Sequence, residues 1–259
     1  MRLGLYHISG SPSPLDTVNE LHSVSVPLEI PLIQVAGIRD RAEAVLLQEC
    51  GIRYLGFPLR LPVNQADLTE ADARDIIHSL QAPARGVLIT YLNEARAIVD
   101  FCRALGARTV QLHGDIARAE LERLRELDPP LTVIKSLVVG RHPVSVLERL
   151  AVELAPLVHG FITDTYAPET GASGATGRTH DWTVSQRLVK LSPKPVILAG
   201  GLTPANVRQA IATVRPAGVD VHTGVEDASG RKDRGKVLAF VAESRAGFTQ
   251  TGTVGRVRP

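Results

Sequence analysis

The sequence predicts an α/β protein built as a single (β/α)8 TIM barrel. Three observations carry that expectation. Short apolar runs alternate with amphipathic segments from Pro31 onward. Eight such runs can be counted, and most are apolar nearly throughout, as strands buried on both faces are. Eight strand–helix repeats over about 225 residues also suit this architecture, which typically takes about 250. A doubly wound open sheet is the runner-up, though such sheets usually hold about five to seven strands.

The expected strands, in order, are PLIQVAG (31–37), IRYLGF (52–57), ARGVLIT (84–90), RTVQLHG (108–114), LTVIKSLVV (131–139), VHGFITD (158–164), PVILAGG (195–201) and GVDVHTG (218–224). Between them RDRAEAVLLQEC, TEADARDIIHSL, NEARAIVDFCRALG and IARAELERLREL repeat their apolar residues at three- and four-residue steps, the helical period. Thr69 and Asn93 are expected N-caps, and TEAD places carboxylates in a first turn. RALGA and QECGI place glycine just past a helix end.

Two segments stand outside the repeat. Residues 1–30 form an N-terminal extension, expected to cap the barrel bottom or to add a helix over PLDTVNELHSV. Residues 31–245 form the barrel, and 246–259 are expected as a flexible, polar, Gly-rich tail. The longest internal loop, TYAPETGASGATGRTHDW, follows the sixth strand. It lies on the face where this fold holds its active sites, and Gly-rich loops there are often mobile covers.

Composition excludes several classes. Hydrophobic residues at 44% and charged residues at 22% are those of an ordinary globular domain with a sizeable core. A net charge of +2, without a basic run, gives no footprint for nucleic acid. No apolar run reaches the roughly 18 residues of a membrane span, and the start lacks a secretory h-region. A cytoplasmic protein with neither nucleic-acid nor membrane partners is expected. Cys50 and Cys102 both fall in helical patterns and read as buried packing rather than a disulfide or a reactive thiol. The eight histidines are scattered, so no metal site is expected.

The chemistry concentrates at strand ends. In PVILAGGLTPANV, Gly200 and Gly201 end the seventh run, Thr203 is placed to cap the next helix, and Pro204 suits its first position. Bare glycine backbone beside a helix N-terminus suits an anion. The eighth run ends with His222, Thr223 and Gly224. Loops after strands seven and eight are where this fold frequently holds phosphate. The alternative is that these glycines only make tight turns.

VQLHGD, VIK, FITDT, GATGRTHDW, VILAGGLTPANV and GVDVHTGVEDASGRKDRGKVLAFV resemble the phosphoribosylanthranilate isomerase family of tryptophan biosynthesis. The resemblance covers about residues 31–243 and is strongest from residue 108 onward. It implies an aldose–ketose isomerase, formally an intramolecular oxidoreductase, that needs no cofactor. The reaction is an Amadori rearrangement, in which a phosphorylated aminoribose opens its ring and becomes a 1-amino-ketose. An acid must protonate the ring oxygen and a base must take the C2 proton. The resemblance makes Asp164 the acid; otherwise it is a loop or helix cap. It places Asp220 close to the substrate, and Gly200, Gly201, His222, Thr223 and Gly224 around a phosphate.

The first strand departs from the family pattern. Gln34 stands where a lysine is expected, and Ala36 stands where the family has its catalytic cysteine base. An alanine methyl accepts no proton. The expected carboxylate-binding arginine falls on Gln65, leaving Arg60 as a stand-in or a surface residue. Gln34 and Arg60 are carried forward as substrate contacts, and the base is unassigned. His113 reads as a satisfied strand-end histidine. Lys135 is expected in the barrel or its mouth, with a Schiff-base role as the lesser reading. Asp181 is an expected N-cap beside His180, Asp40 a remote candidate base, and His7 a residue that reaches the mouth only if the extension folds over it. Two other readings stay open: a paralogue acting on another sugar phosphate, and a non-catalytic phosphate-ligand-binding barrel. Monomer and homodimer are equally open.

Overall fold

The computed structural model describes residues 27–62, 67–167, 172–173 and 179–253. Eight parallel strands close into a barrel. They are β1 (Leu32–Ala36), β2 (Tyr54–Pro58), β3 (Arg85–Thr90), β4 (Thr109–Leu112), β5 (Thr132–Val139), β6 (Gly160–Ala167), β8 (Val196–Leu198) and β9 (Gly218–Val221). The order β5-β4-β3-β2-β1-β9-β8-β6 is closed by pairing of β5 with β6. A two-residue strand, β7 (Ala172–Ser173), runs antiparallel to the end of β6. All eight apolar runs of the sequence are thus strands of one ring.

The helices that follow the strands are α1 (Arg41–Glu49), α2 (Glu70–Ser79), α3 (Ala95–Leu105), α4 (Arg118–Leu127), α5 (Val144–Glu153), α6 (Trp182–Leu191), α7 (Val207–Val214) and α8 (Arg234–Thr251). Strand alternation splits the core in two. Leu32, Val87, Ile134, Ile162 and Ile197 meet inside the ring. Val35, Leu55, Leu88, Val110 and Phe161 face outward against the helices. Both faces are buried, so the strands read as continuous apolar runs.

Several local expectations hold and others are corrected. Thr69 caps α2 by accepting from the Asp72 N–H, and Asp181 caps α6 by accepting from Thr183. Asn93 does not cap α3. The flanking residue is Glu94, and the first N–H of the helix, on Ala95, donates instead to the Glu120 carboxylate at 2.6 Å. Thr203 does not open α7 either. Residues 203–206 form a turn, and α7 begins at Val207. Asn206 stitches that turn, its Oδ1 accepting from Thr203 N at 2.8 Å and its Nδ2 donating to the Gly201 carbonyl at 3.0 Å.

Residues 27–30 lie against the N-terminal end of the barrel. Leu28 packs on the inner apolar cluster, and Glu29 N donates to the Tyr54 hydroxyl at 2.8 Å. The Glu29 carboxylate holds Arg53 at 2.8 Å and Arg85 at 2.7 Å. The rest of the expected extension, with its helix and His7, lies outside the described residues, as do residues 254–259.

The expected tail boundary is corrected at the C-terminus. α8 continues through Thr251, with Phe248 fully buried and Gly247 packed on Ile211 of α7. The glycine brings the two helices close, so a segment that looks polar still contributes a core aromatic. Phe248→Ala should therefore cost about 3–5 kcal/mol of unfolding free energy, measured by urea denaturation. A loss below about 1 kcal/mol would return the segment to the status of a tail.

Candidate active site

The C-terminal end of the barrel carries a cleft lined by Asp164, Ala199, Gly200, Gly201, Leu202, Asp220, Val221, His222, Thr223 and Gly224. Its outer half is backbone. Gly200 and Gly201 adopt φ of +96° and +61°, a region that favours glycine. A side chain at Gly224 would overlap the Leu202 carbonyl, so the loops after β8 and β9 touch backbone to backbone. Among the described residues, the N–H groups of Gly200, Gly201, Thr223 and Gly224 have no backbone acceptor. Free N–H groups converging on a concave surface form an anion site.

The inner half is a ring of polar side chains. Gln34 of β1 lies in register with Asp220 of β9. Gln34 Nε2 donates to Gln111 Oε1 at 3.0 Å, which leaves Gln111 Nε2 to donate to His113 Nε2 at 2.6 Å. This chain assigns the ring proton of a neutral His113 to Nδ1, which lies 3.8 Å from Asp164 Oδ2. The other Asp164 oxygen accepts from Thr165 N at 2.7 Å. Thr165 is held in turn by His180, whose second nitrogen reaches Ser185 on α6 at 2.5 Å.

The two carboxyls are buried, and among the described residues no lysine or arginine lines the cleft beside them. Burial pushes Asp164 up to about 7, against a smaller pull from the Thr165 N–H. Burial also pushes Asp220 up to about 7. The charge of Asp164 adds to that, while Gln34, Lys232 and the Val221 N–H oppose it. Asp220 Oδ1 and Gln34 Oε1 are buried acceptors without a donor among the described residues.

Other expected residues are placed differently. Ala36 is an interior residue whose methyl faces Gly56, and it carries no reactive atom. Arg60 does not reach the cleft. It forms a two-pronged ion pair with Glu70 at 2.8 and 3.0 Å, and its guanidinium lies 3.7 Å from the Phe101 ring centroid in the helix layer. Gln65 lies outside the described residues, as does most of the Gly-rich loop after β6. His222 lines the cleft, but its imidazole lies against Gly37, with Nε2 3.5 Å from Glu226. Burial, with Lys232 nearby, holds it down to about 3, so a neutral ring brings no charge to an anion.

Asp40 is committed elsewhere, capping α1 and pairing with Arg231 at 2.6 Å. Lys135 points outward rather than into the mouth. Ile134 occupies the inner face of β5, so its neighbour lies among the helices, where Nζ donates to the Ser136 and Leu112 carbonyls. Desolvation lowers it to about 8, but it is not among the residues that line the cleft. Both cysteines are buried, and the Cys102 thiol is raised to about 12 by desolvation. Among the described residues no group of histidine, cysteine and carboxylate side chains could hold a metal. Nor is any described helix long and apolar enough to cross a membrane.

A family profile for N-(5'-phosphoribosyl)anthranilate isomerase matches residues 33–243 of this barrel. The chain belongs to the phosphoribosylanthranilate isomerase family. It is 34% identical over 218 residues to N-(5'-phosphoribosyl)anthranilate isomerase 2 of Methanosarcina mazei, covering 83% of this chain and 95% of that one. It is 36% identical over 216 residues to the Haloferax volcanii isomerase, covering 82% and 92%. Among solved structures it is similar to a phosphoribosylanthranilate isomerase in complex with reduced 1-(o-carboxyphenylamino)-1-deoxyribulose 5-phosphate. That similarity has a TM-score of 0.68 and 26% identity, and covers 83% of this chain and 98% of that one.

In this phosphoribosylanthranilate isomerase relative, strand-end motifs made the cleft legible, whereas its inner ring was not. Gln111 and the reach of His113 to Asp164 depend on strand register, and their only sequence trace is two-residue spacing in VQLHG. The carboxyl pair has a consequence for stability. With Asp164 and Asp220 raised from 3.8 to about 7, the folded state holds protons that the unfolded chain releases. Their contribution is complete below pH 4 and is lost as pH rises through 7. Asp164→Asn should therefore gain melting temperature relative to the wild type between pH 5 and pH 8, by about 2–4 °C for each kcal/mol recovered. A pH-independent difference in calorimetry would contradict the raised carboxyl.

Proposed function

We propose that this protein catalyses the isomerisation of N-(5'-phosphoribosyl)anthranilate to its 1-amino-1-deoxyribulose product. The phosphate sits on the N–H groups of Gly200, Gly201, Thr223 and Gly224. The observation that carries the reading is a buried carboxyl, Asp164, at the inner edge of that glycine-built anion cleft. A phosphate anchored at the outer half turns the sugar toward the polar ring, and Asp164 supplies the proton for the ring oxygen. Protonation breaks the C1–O4 bond while the nitrogen lone pair forms C1=N. A carboxyl raised to about 7 is suited to act as an acid at neutral pH, because it still holds its proton there.

A second reading rests on the missing clamp. Among the described residues that line the cleft none is arginine or lysine, and Arg60 is engaged by Glu70. A phosphorylated aminoribose lacking the aryl carboxylate would lose no contact to a described cation of the cleft.

Steady-state turnover separates the readings. The wild type should convert phosphoribosylanthranilate, Asp164→Asn should lower kcat by at least about 10²-fold, and Gly224→Ala should act mainly on KM. Turnover only of phosphoribosylamines without the carboxylate would favour the second reading. No turnover of either would sink both.

A further inference from the structure

We infer that Asp220 is the general base that removes the C2 proton, working as one half of a buried carboxylic pair with Asp164. The inference rests on the isomerase reading above and names the residue that performs its second proton transfer.

The geometry narrows the choice. The step needs a proton acceptor on the inner wall of the cleft, within reach of a sugar whose phosphate lies on the glycine loops. Ala36 has only a methyl group. Asp40, Glu43 and Glu226 are occupied by Arg231 and Lys232. Lys135 and both cysteines lie outside the inner face. The His113 Nε2 lone pair is taken by Gln111. His222 is neutral but turned onto Gly37, and burial makes its ring a poor acceptor.

Asp220 remains. It lines the same cleft as Asp164, and its Oδ1 is buried with no donor among the described residues. Its neighbour across the β1–β9 pair is the neutral amide of Gln34, in register with it. The groups facing it are Asp164 from β6, Gln34 from β1 and Lys232 from the loop after β9, with His222 next but one in the chain, just past β9. Lys232 is held by Glu226 at 2.6 Å and by the His222 carbonyl. Two carboxyls in one desolvated pocket, with no cation between them among the described residues, do not both ionise readily. One stays protonated and serves as acid while the other is ionised and serves as base, which divides the roles by environment.

The proton account balances on this pair. Asp164 gives its proton to O4 as the C1–O4 bond breaks and C1=N forms. Asp220 then takes the C2 proton. The C2–H electron pair forms C1=C2, and the C=N electrons return to nitrogen, giving the enolamine. Transfer of the Asp220 proton to C1, with loss of the enol proton to Asp164, leaves the ketose and restores both side chains. The cysteine of the family pattern is then dispensable, because its proton is carried from the ninth strand instead of the first.

The experiment compares wild type, Asp220→Asn and Asp220→Asn/Ala36→Cys on phosphoribosylanthranilate bearing hydrogen or deuterium at C2. Asp220→Asn should lower kcat by about 10²–10⁴-fold with KM little changed, and a primary isotope effect at C2 should be fully expressed. The thiol at position 36 should recover at least tenfold of that loss, with the rising limb of the pH profile moved to higher pH. The inference is overturned if Asp220→Asn keeps kcat within tenfold of wild type, if its defect lies wholly in KM, if the isotope effect vanishes, or if the thiol brings no gain. Thermal stabilisation by inorganic phosphate, retained in each variant, verifies that the site is folded. Absence of turnover by the wild type sinks the isomerase reading and this inference together, whereas turnover that survives Asp220→Asn sinks the inference alone.

Discussion

Two carboxyl groups share the desolvated mouth of one barrel, and among the described residues no lysine or arginine lines it. The rest of the site follows from that constraint. Asp164 and Asp220 come from strands β6 and β9, on either side of β8, and the barrel closes around them. Their neighbours on the inner wall are amides and the imidazole of His113. Like charges in such a place cannot both be carried easily, so the pair retains a proton to higher pH than an exposed aspartate would. This is costly to the fold at neutral pH and useful to acid–base chemistry.

The scaffold tolerates that cost because its stability lies elsewhere. Outward-facing strand residues and the helix layer form the larger apolar core, and α8 adds Phe240 and Phe248 to it. The inner apolar layer plugs the ring below the polar one, with Leu28 and Tyr54 at its base. At the mouth the loops after β8 and β9 are fixed backbone to backbone through Gly224, and Asn206 holds the turn between them and α7. On the proposed reading, a backbone-built anion cleft beside a polar pocket orients a phosphorylated sugar before any proton moves.

The fold was legible because period and length act on every residue. Eight apolar runs became eight strands, since burial on both faces leaves no polar alternation to confuse them. The cleft glycines were legible because positive φ and close backbone approach leave a mark in the sequence. Errors arose where contact, not composition, decides. Thr203 looked like a cap, but the turn it belongs to is closed by Asn206. Arg60 reads from sequence as a carboxylate contact or a surface residue, and Glu70 and Phe101 hold it in the helix layer away from the cleft. Lys135 looked inward, but strand parity turns it out. The amide chain from Gln34 to His113 runs between strands that are far apart in sequence, and no local motif records it.

The shared burial of Asp164 and Asp220 is the central claim, and carbon-13 NMR of the aspartate carboxyls across pH 3–9 tests it most directly. Two carboxyl resonances should titrate near neutrality in the wild type. In Asp164→Asn the Asp220 resonance should move to lower pH, because a neighbouring like charge has been removed. Titration of every aspartate below about pH 5, as for ordinary carboxylates, would contradict the account.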